Sequence, residues 1–352
     1  MIDVHINSNA KKQIKIFSDL SIVIVTYDRL TYLQDLLLSL EEAIRHVDKR
    51  TISLMIGVNG PHSATENFLS EFAKQHTTVT LDYMTLPERL TPAEARNIVV
   101  SQVNSDWILF LDDDVLLPQY FFKNFFKLQS EYPEPIMWGG PNLTPVRSDQ
   151  TQKKIGQLLE SFLVVGPVAL RYRFNQTQMK KGSELYFSLC NLFIKKNYFE
   201  ENQFNKNLKT AEENQLIYSL KKMKYPLATS DLLYVWHHRR GSFVGFLSQI
   251  KNYGYGRGQL IYYGGMSRWI SFFSLALVFL VGVGLYKRPI YMINGFILWF
   301  FLFISSFYKK NNWRDRSIYF LPFQIWYHYF YGILSGYLST LKTSLSSKYP
   351  SS

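Results

Sequence analysis

The stretch Ile108-Leu-Phe-Leu-Asp-Asp-Asp-Val-Leu-Leu-Pro118 places three successive carboxylates directly after an apolar run. The run from Trp107 to Leu111 predicts a buried strand, because a short continuous apolar segment suits a strand covered on both faces. Three adjacent carboxylates repel one another, so burying them requires a counter-charge. A divalent cation would supply that charge and would also bind a phosphorylated ligand. Taken alone, Asp112–Asp114 could equally be a solvated acidic turn.

The residues around this stretch, about 15–135, alternate short apolar runs with amphipathic segments. This alternation is typical of βαβ units and a mainly parallel sheet. The periodicity predicts strands over 21–26, 52–58 and 78–84 and helices over 31–44 and 63–75. Thr91-Pro-Ala-Glu94 predicts a further helix start, with a capping threonine and a proline at the first position. The acidic triplet then lies at the carboxyl end of a strand, the edge where open α/β sheets bind ligands.

The next zone, about 136–265, is less regular. Helices are predicted over 150–165 and 211–222, and strands over 187–194 and 232–236.

The C-terminal third differs from the rest of the chain in charge and hydropathy. Residues 232–352 hold 13 Lys or Arg and one acid, Asp315, so the whole formal net charge of +12 falls there. The uncharged runs 269–286 and 289–308 each reach the length that crosses roughly 30 Å of hydrocarbon. They predict two membrane helices, with a buried helical pair in a soluble core as the alternative. Nucleic acid is disfavoured as a partner, because long apolar runs separate the basic residues.

A third apolar run, 317–341, is uncharged apart from His328 and rich in Tyr, Trp and Phe. These side chains prefer the membrane interface, so the run predicts a helix that spans the bilayer or lies in the interface plane. No continuous apolar segment follows Met1, so no secretory signal is predicted. The single cysteine, Cys190, fits a reducing compartment. We expect a plasma (inner) membrane location with the catalytic part in the cytoplasm.

Four ordered blocks resemble the family-2 glycosyltransferases, nucleotide-sugar enzymes with the GT-A fold. Ser21-Ile-Val-Ile-Val-Thr-Tyr-Asp-Arg29 is similar to the first strand and nucleotide-contacting turn of that family. Pro92-Ala-Glu-Ala-Arg-Asn97 resembles its Ala-Arg-Asn helix, and Leu109-Phe-Leu-Asp-Asp-Asp114 its Phe-Leu-Asp-x-Asp strand end. Ala211-Glu-Glu-Asn-Gln-Leu216 resembles its Glu-Asp-x-x-Leu helix. The similarity covers about 20–260, and the order of the four blocks carries it.

The resemblance implies an α/β fold of the GT-A type, Rossmann-like with a mainly parallel mixed sheet, followed by C-terminal membrane helices. The catalytic domain would occupy 20–265, after an N-terminal extension at 1–19 and before a membrane region at 266–345. Its nucleotide-binding half would be 20–135, and its acceptor half 136–265.

The resemblance also implies roles for individual residues. The nucleotide-diphosphate sugar would contact Thr26, Tyr27, Asp28, Arg29, Asn59, Arg96, Asp112 and Asp113. A Mg²⁺ or Mn²⁺ cofactor would be held by Asp114, Asp112 and His237. Glu213 would be the catalytic base that takes a proton from the acceptor hydroxyl during inverting transfer. The acceptor or its lipid phosphate would meet Glu212, Arg239, Arg240 and Arg257.

Several of these assignments have alternatives. Without the rest of the pattern, Glu212 and Glu213 could be acids that the macrodipole favours at a helix N-terminus. Glu213 also stands where the family has aspartate, and Asn59 where it often has an acid, which weakens an assumption of a uracil donor. His237 and its neighbour His238 face opposite ways on a strand, so only one of them could face the metal. We favour His237, and a packing or surface role for either residue is the alternative. The basic residues could instead bind anionic lipid.

The leading hypothesis is a non-processive hexosyltransferase-type enzyme, similar to bacterial exopolysaccharide and O-antigen transferases. It would add a sugar to a lipid-linked or membrane-proximal glycan acceptor during surface polysaccharide biosynthesis. A processive polysaccharide synthase is disfavoured, because the Gln-x-x-Arg-Trp motif of such relatives is missing from 236–259. The remaining alternative is a catalytically inactive nucleotide-binding scaffold that partners another glycosyltransferase.

Overall fold

A computed structural model gives the fold of residues 18–47, 50–76, 80–175, 179–182, 184–264 and 320–348, together with Ile290 and Asn294. The chain divides into two compact units, Met1–Phe246 and Leu247–Ser352. The domain boundaries predicted from the sequence stay predictions.

The first unit contains two sheets. Its strands, in chain order, are β1 (Ser18–Thr26), β2 (Ile52–Val58), β3 (Thr80–Thr85), β4 (Ser105–Leu111), β5 (Val115–Leu116), β6 (Met137–Gly139), β7 (Asn142–Leu143), β8 (Lys180–Lys181), β9 (Leu192–Lys195), β10 (Leu227–Thr229) and β11 (Val235–His237). The larger sheet has the order β3-β2-β1-β4-β9-β6-β10-β8. Its strands β3, β2, β1 and β4 are all parallel, whereas β9 is antiparallel to both β4 and β6. The mainly parallel mixed sheet predicted from the sequence is confirmed.

Helices cover both faces of the larger sheet. In chain order, the helices up to residue 263 are α1 (Leu30–Ile44), α2 (Ser63–Gln75), α3 (Pro92–Val100), α4 (Phe121–Glu131), α5 (Gln150–Glu160), α6 (Phe162–Val165), α7 (Lys196–Glu201), α8 (Glu212–Lys222) and α9 (Phe243–Tyr263), and most of α9 belongs to the second unit. One core joins the strands to α1, α2 and α4, and the other joins them to α3, α7 and α8. Alternate residues of β1 enter different cores: Ile22 and Ile24 face the first, and Val23 faces the second. This two-sided burial explains why the strand reads as a continuous apolar run.

The smaller sheet has the order β5-β11-β7. Strand β5 begins at Val115, directly after the acidic triplet, and it pairs antiparallel with β11 so that His237 lies opposite Val115. Strand β7 pairs with the other edge of β11 and places Asn142 opposite Val235. This pairing brings distant parts of the chain to the end of β4.

The second unit contains most of α9 and a long helix, α10 (Leu321–Lys348). Glycines lie where the two helices cross. A Cβ at Gly258 would overlap the carbonyl oxygen of Ile333, and a Cβ at Gly336 would overlap that of Tyr255. The close approach of the two backbones therefore requires glycine at these positions.

Local interactions explain where the structure differs from the sequence-based expectations. The predicted helix 150–165 is broken at Ser161, whose backbone is extended, and only its first part has a capping box, formed by Asp149 and Gln152. The start predicted for α3 is confirmed, since Thr91 accepts a hydrogen bond from the Glu94 backbone N–H at 3.3 Å. The predicted strands 187–194 and 232–236 were wrong in their first residues, which form 3₁₀ turns at Leu189–Asn191 and Asp231–Leu233.

The predicted membrane helices fall mainly on residues outside the described part of the chain. That is true of all of 269–286 and of 289–308 apart from Ile290 and Asn294. The third predicted helix corresponds to α10, which begins at Leu321. Within the described ranges, no helix combines the length and the apolar character that crossing a bilayer needs.

Candidate active site

Polar residues gather at the carboxyl edge of the larger sheet. Strands β1 and β4 are parallel neighbours, and Ile24 lies opposite Leu111 near their ends. The turn after β1 carries Thr26 to Arg29, and the turn after β4 carries Asp112–Asp114. Because the two turns follow adjacent parallel strands, these side chains meet at one edge, where sheets of this kind bind ligands.

Arg29 supplies counter-charge to two of the three carboxylates. Its Nη1 lies 2.8 Å from Asp113 Oδ1 and 2.8 Å from Asp114 Oδ2. Thr26 Oγ1 donates a hydrogen bond to the other oxygen of Asp113 at 2.8 Å. The sequence placed Arg29 near the donor but did not identify it as the partner of the triplet. Its position at the end of the neighbouring parallel strand was the available signal.

The two carboxylates that Arg29 holds differ in proton affinity. Burial raises the pKa of Asp113 to about 6, and the adjacent Asp114 adds to this while Arg29 and Thr26 oppose it. Burial also acts to raise the pKa of Asp114, but His237, Arg29 and Arg240 outweigh it and hold that pKa below its usual range. At neutral pH Asp114 is therefore a firmly ionised carboxylate in a buried position.

His237 is the direct neighbour of Asp114. Its Nε2 lies 3.1 Å from Asp114 Oδ1, and the backbone N–H of His238 donates to the Asp114 carbonyl at 3.0 Å. The His238 ring lies instead against Tyr32, with ring centroids 5.2 Å apart. Burial acts to lower the pKa of His237, whereas Cys190 and Asp114 raise it, and the net effect is a raised pKa. The favoured member of the histidine pair is thus the one beside the triplet.

Arg96 joins the triplet to the start of α8. Its Nη2 donates to Asp112 Oδ1 at 2.9 Å, and its Nη1 donates to Glu212 Oε1 at 2.6 Å. The Arg96 side chain is buried together with Glu212. Burial raises the pKa of Glu212 to about 7; Arg96 opposes that rise, and Glu213 adds to it. The sequence assigned Glu212 to the acceptor, but the structure pairs it with Arg96.

Glu213, the predicted base, lies in the first turn of α8. The residue before the pair, Ala211, has the left-handed φ of 67°, which lets the chain turn sharply into the helix. Glu213 Oε1 accepts a hydrogen bond from Asn214 Nδ2 at 2.7 Å. Within the described part of the chain, Asn214 is the only hydrogen-bond partner of this carboxylate. The residue is 9% exposed, so it is almost completely buried.

Cys190 also belongs to this cluster, although no sequence pattern predicted this position. Its thiol donates to Asp112 Oδ2 at 3.4 Å, and its Sγ lies 3.7 Å from His237 Nδ1. The 3₁₀ turn at Leu189–Asn191, which replaces the predicted strand, brings the side chain inward. A buried thiol thus separates a carboxylate from an imidazole.

The basic residues predicted to meet the acceptor occupy different environments. Arg239 is 5% exposed, and its guanidinium donates to Asn142 and Thr144, so the structure places it inside the smaller sheet and not at a lipid surface. Its contact with the acceptor stays a prediction. Arg240 is half-buried and near enough to Asp114 to lower its pKa. Arg257 belongs to the second unit.

The remaining donor-site candidates surround the turn after β1. The Arg89 guanidinium lies 4.2 Å from the Tyr27 ring centroid. Asp28 has the left-handed φ of 51°, and its Oδ1 lies 3.2 Å from His62 Nε2. Asn59 uses both ends of its amide on the Leu90 backbone, accepting at 2.9 Å and donating at 3.0 Å. Asn59 therefore fixes one loop to another, and its contact with the donor stays a prediction.

The side chains near the acidic triplet suit the binding of a hard cation only in part. Within the described residues, no group of three or more His, Cys, Asp or Glu side chains is arranged to hold a metal ion. Asp114 is nevertheless buried and ionised, and Asp112 lies two residues away. Mg²⁺ is commonly held by one or two carboxylates together with substrate phosphates and water. The residues therefore fit a cation that arrives with a phosphorylated ligand.

Comparison with known proteins identifies the fold and the family. The model of the family described as Glycosyl transferase family 2 matches residues 21–202, more than half of the chain. No curated protein matches the chain.

Among solved structures, the mannosyltransferase PcManGT from Pyrobaculum calidifontis, in complex with GDP-Man and Mn²⁺, has a TM-score of 0.59 and 12% identity, covering 94% of this chain and 90% of that chain. S. aureus TarS 1–349 has a TM-score of 0.48 and 13% identity, covering 91% of this chain and 92% of that chain. The same TarS segment in complex with UDP-GlcNAc has a TM-score of 0.49 and 13% identity over the same shares of the two chains.

At 12% identity the structural similarity to PcManGT concerns the fold alone. The family match extends from β1 to the end of α7 and includes both Arg96 and the acidic triplet. The chain therefore belongs to glycosyl transferase family 2 and is a glycosyltransferase with a GT-A-like α/β fold.

Proposed function

We propose that this glycosyltransferase moves one sugar from a nucleoside diphosphate sugar to a lipid-linked or membrane-proximal glycan acceptor, with inversion at the anomeric carbon. The observation that carries the proposal is the charged cluster at the ends of β1 and β4, in which Arg29 joins Asp113 to Asp114 and Arg96 joins Asp112 to Glu212, the residue before Glu213. PcManGT in complex with GDP-Man and Mn²⁺ and TarS in complex with UDP-GlcNAc are consistent with a donor of this class. Surface polysaccharide biosynthesis is the pathway class that suits such an acceptor.

The turns after β1 and β4 would form the part of the site that binds the sugar donor. Asp114 and Asp112 would hold Mg²⁺ or Mn²⁺, which neutralises charge on a departing nucleoside diphosphate. Arg29 would turn from the carboxylates toward the diphosphate, since a guanidinium pairs with phosphate oxygens as readily as with carboxylate oxygens. Thr26 would keep Asp113 in place through its hydrogen bond.

On the acceptor side of the site, Glu213 would act as the base. The acceptor oxygen attacks the anomeric carbon, and its proton passes to the Glu213 carboxylate. The bond from the anomeric carbon to the diphosphate oxygen breaks, and the nucleoside diphosphate leaves with the electron pair. Asn214 holds one carboxylate oxygen at 2.7 Å, which leaves the second oxygen to receive the proton. Arg96 and Glu212 would fix the start of α8 and therefore the position of Glu213.

Membrane association is part of the proposal, and the second unit supports it. Exposed apolar and aromatic residues recur on α10 at three- and four-residue spacing: Tyr327, Tyr331, Leu334 and Leu338. Basic residues of the unit include Lys251, Arg257 and Lys342, and none of its described residues is acidic. An exposed aromatic helix face in a unit that carries basic residues suits the surface of an anionic membrane. We propose that the enzyme works at the inner face of the plasma membrane.

The enzymatic proposal is tested by donor turnover. The full chain, purified in detergent, would be incubated with Mn²⁺ and a panel of UDP, GDP and dTDP sugars, and release of the nucleoside diphosphate would be measured. We expect turnover of one donor class, loss of at least a hundredfold in Glu213→Gln with donor binding retained, and loss of cation-dependent binding in Asp114→Ala. Glu201→Gln, an exposed change of the same type on α7, is the matched control.

Two outcomes would replace the proposal. Binding of a donor without turnover by any acceptor preparation would favour the inactive scaffold. Product chains that grow without dissociating would favour a processive synthase.

Membrane association is tested separately, by sedimentation of the full chain with vesicles of phosphatidylcholine and phosphatidylglycerol. Equal binding to vesicles of phosphatidylcholine alone would contradict the role of positive charge.

A further inference from the structure

The two ring nitrogens of His237 face groups of opposite hydrogen-bonding character. Nε2 lies 3.1 Å from Asp114 Oδ1. An ionised carboxylate only accepts hydrogen bonds. A ring nitrogen at this distance is stabilised if it carries a proton and repelled if it presents a lone pair. The contact therefore places a proton on Nε2.

The opposite nitrogen leads to the same tautomer. Nδ1 lies 2.9 Å from Arg239 Nη1, and a guanidinium only donates. Nδ1 must therefore accept, which leaves the single proton of a neutral ring on Nε2. The second neighbour of Nδ1, the thiol of Cys190, lies farther away at 3.7 Å and donates its own proton to Asp112.

Arg239 is held so that it cannot turn away from the ring. Its Nη2 donates to the Asn142 carbonyl at 2.6 Å, its Nε donates to Thr144 Oγ1 at 3.1 Å, and its guanidinium carbon lies 5.1 Å from the Tyr172 ring centroid. The pairing of β7 with β11 carries Asn142 to this position. The guanidinium is thus part of the smaller sheet's packing, and its direction is set by backbone pairing.

This arrangement is the reverse of what a histidine that binds a metal needs. A ligating imidazole presents a lone pair at one nitrogen and usually donates the other N–H to a carboxylate or carbonyl. Here the nitrogen nearest the triplet carries the proton, and the other nitrogen faces a donor. We propose that His237 orients Asp114 as a hydrogen-bond donor, with its tautomer fixed by Arg239, and does not ligate the cation. His237 and Arg239 are both positioning residues. The part of the inference that concerns ligation of the cation rests on the proposed function.

The tautomer is measured directly by nitrogen NMR on the full chain without donor or metal. Long-range ¹H–¹⁵N correlation spectra of ¹⁵N-histidine-labelled protein separate protonated from unprotonated ring nitrogens, and His237 is assigned from its absence in His237→Gln. We expect a protonated Nε2. A bare Nε2 with the proton on Nδ1 would overturn the proposal. Because no donor is used, this result does not depend on whether the protein transfers sugar.

The role of Arg239 is tested by its variants. Arg239→Met removes the donor facing Nδ1, so the Nδ1–H form should become detectable, whereas Arg239→Lys should restore the wild-type pattern. Arg173→Met, an exposed change of the same type, is the control. An unchanged His237 pattern in Arg239→Met would overturn the part given to Arg239. If that variant does not fold, the wild-type spectrum still decides the tautomer.

Ligation is tested with the cation itself. Pulsed EPR of the full chain with Mn²⁺ and either GDP or UDP reports ¹⁴N nuclei bound directly to manganese. We expect hyperfine coupling between Mn²⁺ and the phosphorus nuclei of the nucleotide, and no coupling between Mn²⁺ and an imidazole nitrogen. A coupled nitrogen that disappears in His237→Gln would overturn the proposal. If Mn²⁺ binds with neither GDP nor UDP, the result would count against the proposed metal dependence. The NMR measurement would still decide the tautomer.

Discussion

Arg96 and Glu212 form a buried ion pair, with 2.6 Å between Nη1 and Oε1, that joins α3 to the start of α8 across 116 positions of the chain. Arg96 also reaches Asp112 at 2.9 Å. The pair thus connects the acidic triplet to the helix that carries Glu213. Because both partners are buried, the interaction is little screened by solvent.

Removal of Arg96 should destabilise the fold strongly. Arg96→Met leaves Glu212 and Asp112 without their cation, and breaking a buried pair costs about 3–5 kcal/mol. The free energy of unfolding from urea titration measures this loss. Arg45→Met removes a side chain that is 57% exposed and pairs with Glu41 and Glu42 of α1, so it should cost less than about 1 kcal/mol. Equal losses in the two variants would contradict the importance of the buried pair.

Stability should fall as the pH rises from about 4.5 to 7. The folded pKa of Glu212 is raised to about 7, and that of Asp113 to about 6. When the folded pKa of a group is raised, the unfolded chain releases the proton of that group at a lower pH than the folded chain does. The contribution of the group to stability is therefore fully present below the unfolded pKa and is lost as the pH rises through the folded pKa. Asp114 acts in the opposite sense, because its folded pKa is lowered and its contribution is lost only under stronger acid.

Glu212→Gln should flatten this pH dependence. The glutamine mimics the protonated carboxyl in shape but does not titrate. Urea midpoints at pH 4.5, 5.5 and 7 measure the slope, and Glu201→Gln, on the exposed surface of α7, is the control. A slope that is unchanged in Glu212→Gln would show that another group causes it.

Loss of Arg29 should depend on pH and on the cation. Arg29→Met leaves Asp113 and Asp114 buried beside each other without the guanidinium that lies 2.8 Å from both. We expect a loss of about 3–5 kcal/mol at pH 7 and a smaller loss at pH 5, where Asp113 takes up a proton. Mn²⁺ should stabilise this variant more than the wild type, because a bound cation replaces the missing charge. The same loss at both pH values would contradict this account.

The crossing of α9 and α10 should tolerate no side chain. Gly258→Ala and Gly336→Ala each place a Cβ against a backbone carbonyl of the partner helix, which cannot move like a flexible side chain. We expect each to cost about 1–3 kcal/mol, measured as a lower midpoint of thermal unfolding in detergent. Gly241→Ala is the control, since no described atom lies within 4 Å of its added Cβ. Unchanged midpoints would mean that the two helices do not rely on this contact.

Much of the sheet could be predicted from the sequence because its signals are local. Strands β1, β2 and β4 are short apolar runs, and the start of α3 is encoded by Thr91 and Pro92 within one turn. The irregular zone could not be predicted in the same way. The turn at Leu189–Asn191 reads as part of a strand, and its Ser188 forms the turn by accepting from the Cys190 backbone N–H. Apolar pattern alone does not distinguish these two conformations.

The sequence by itself determined the acidic triplet, the strand that precedes it and the helix starts that carry Arg96 and Glu213. These depend on the order of residues within a few positions. Only the tertiary structure decided which charges meet: Arg29 with Asp113 and Asp114, and Arg96 with Glu212. The reason is physical, because a hydrogen bond depends on the distance and direction between two groups that the fold brings together. Residue order fixes neither across gaps of 84 positions or more, such as that between Arg29 and Asp113.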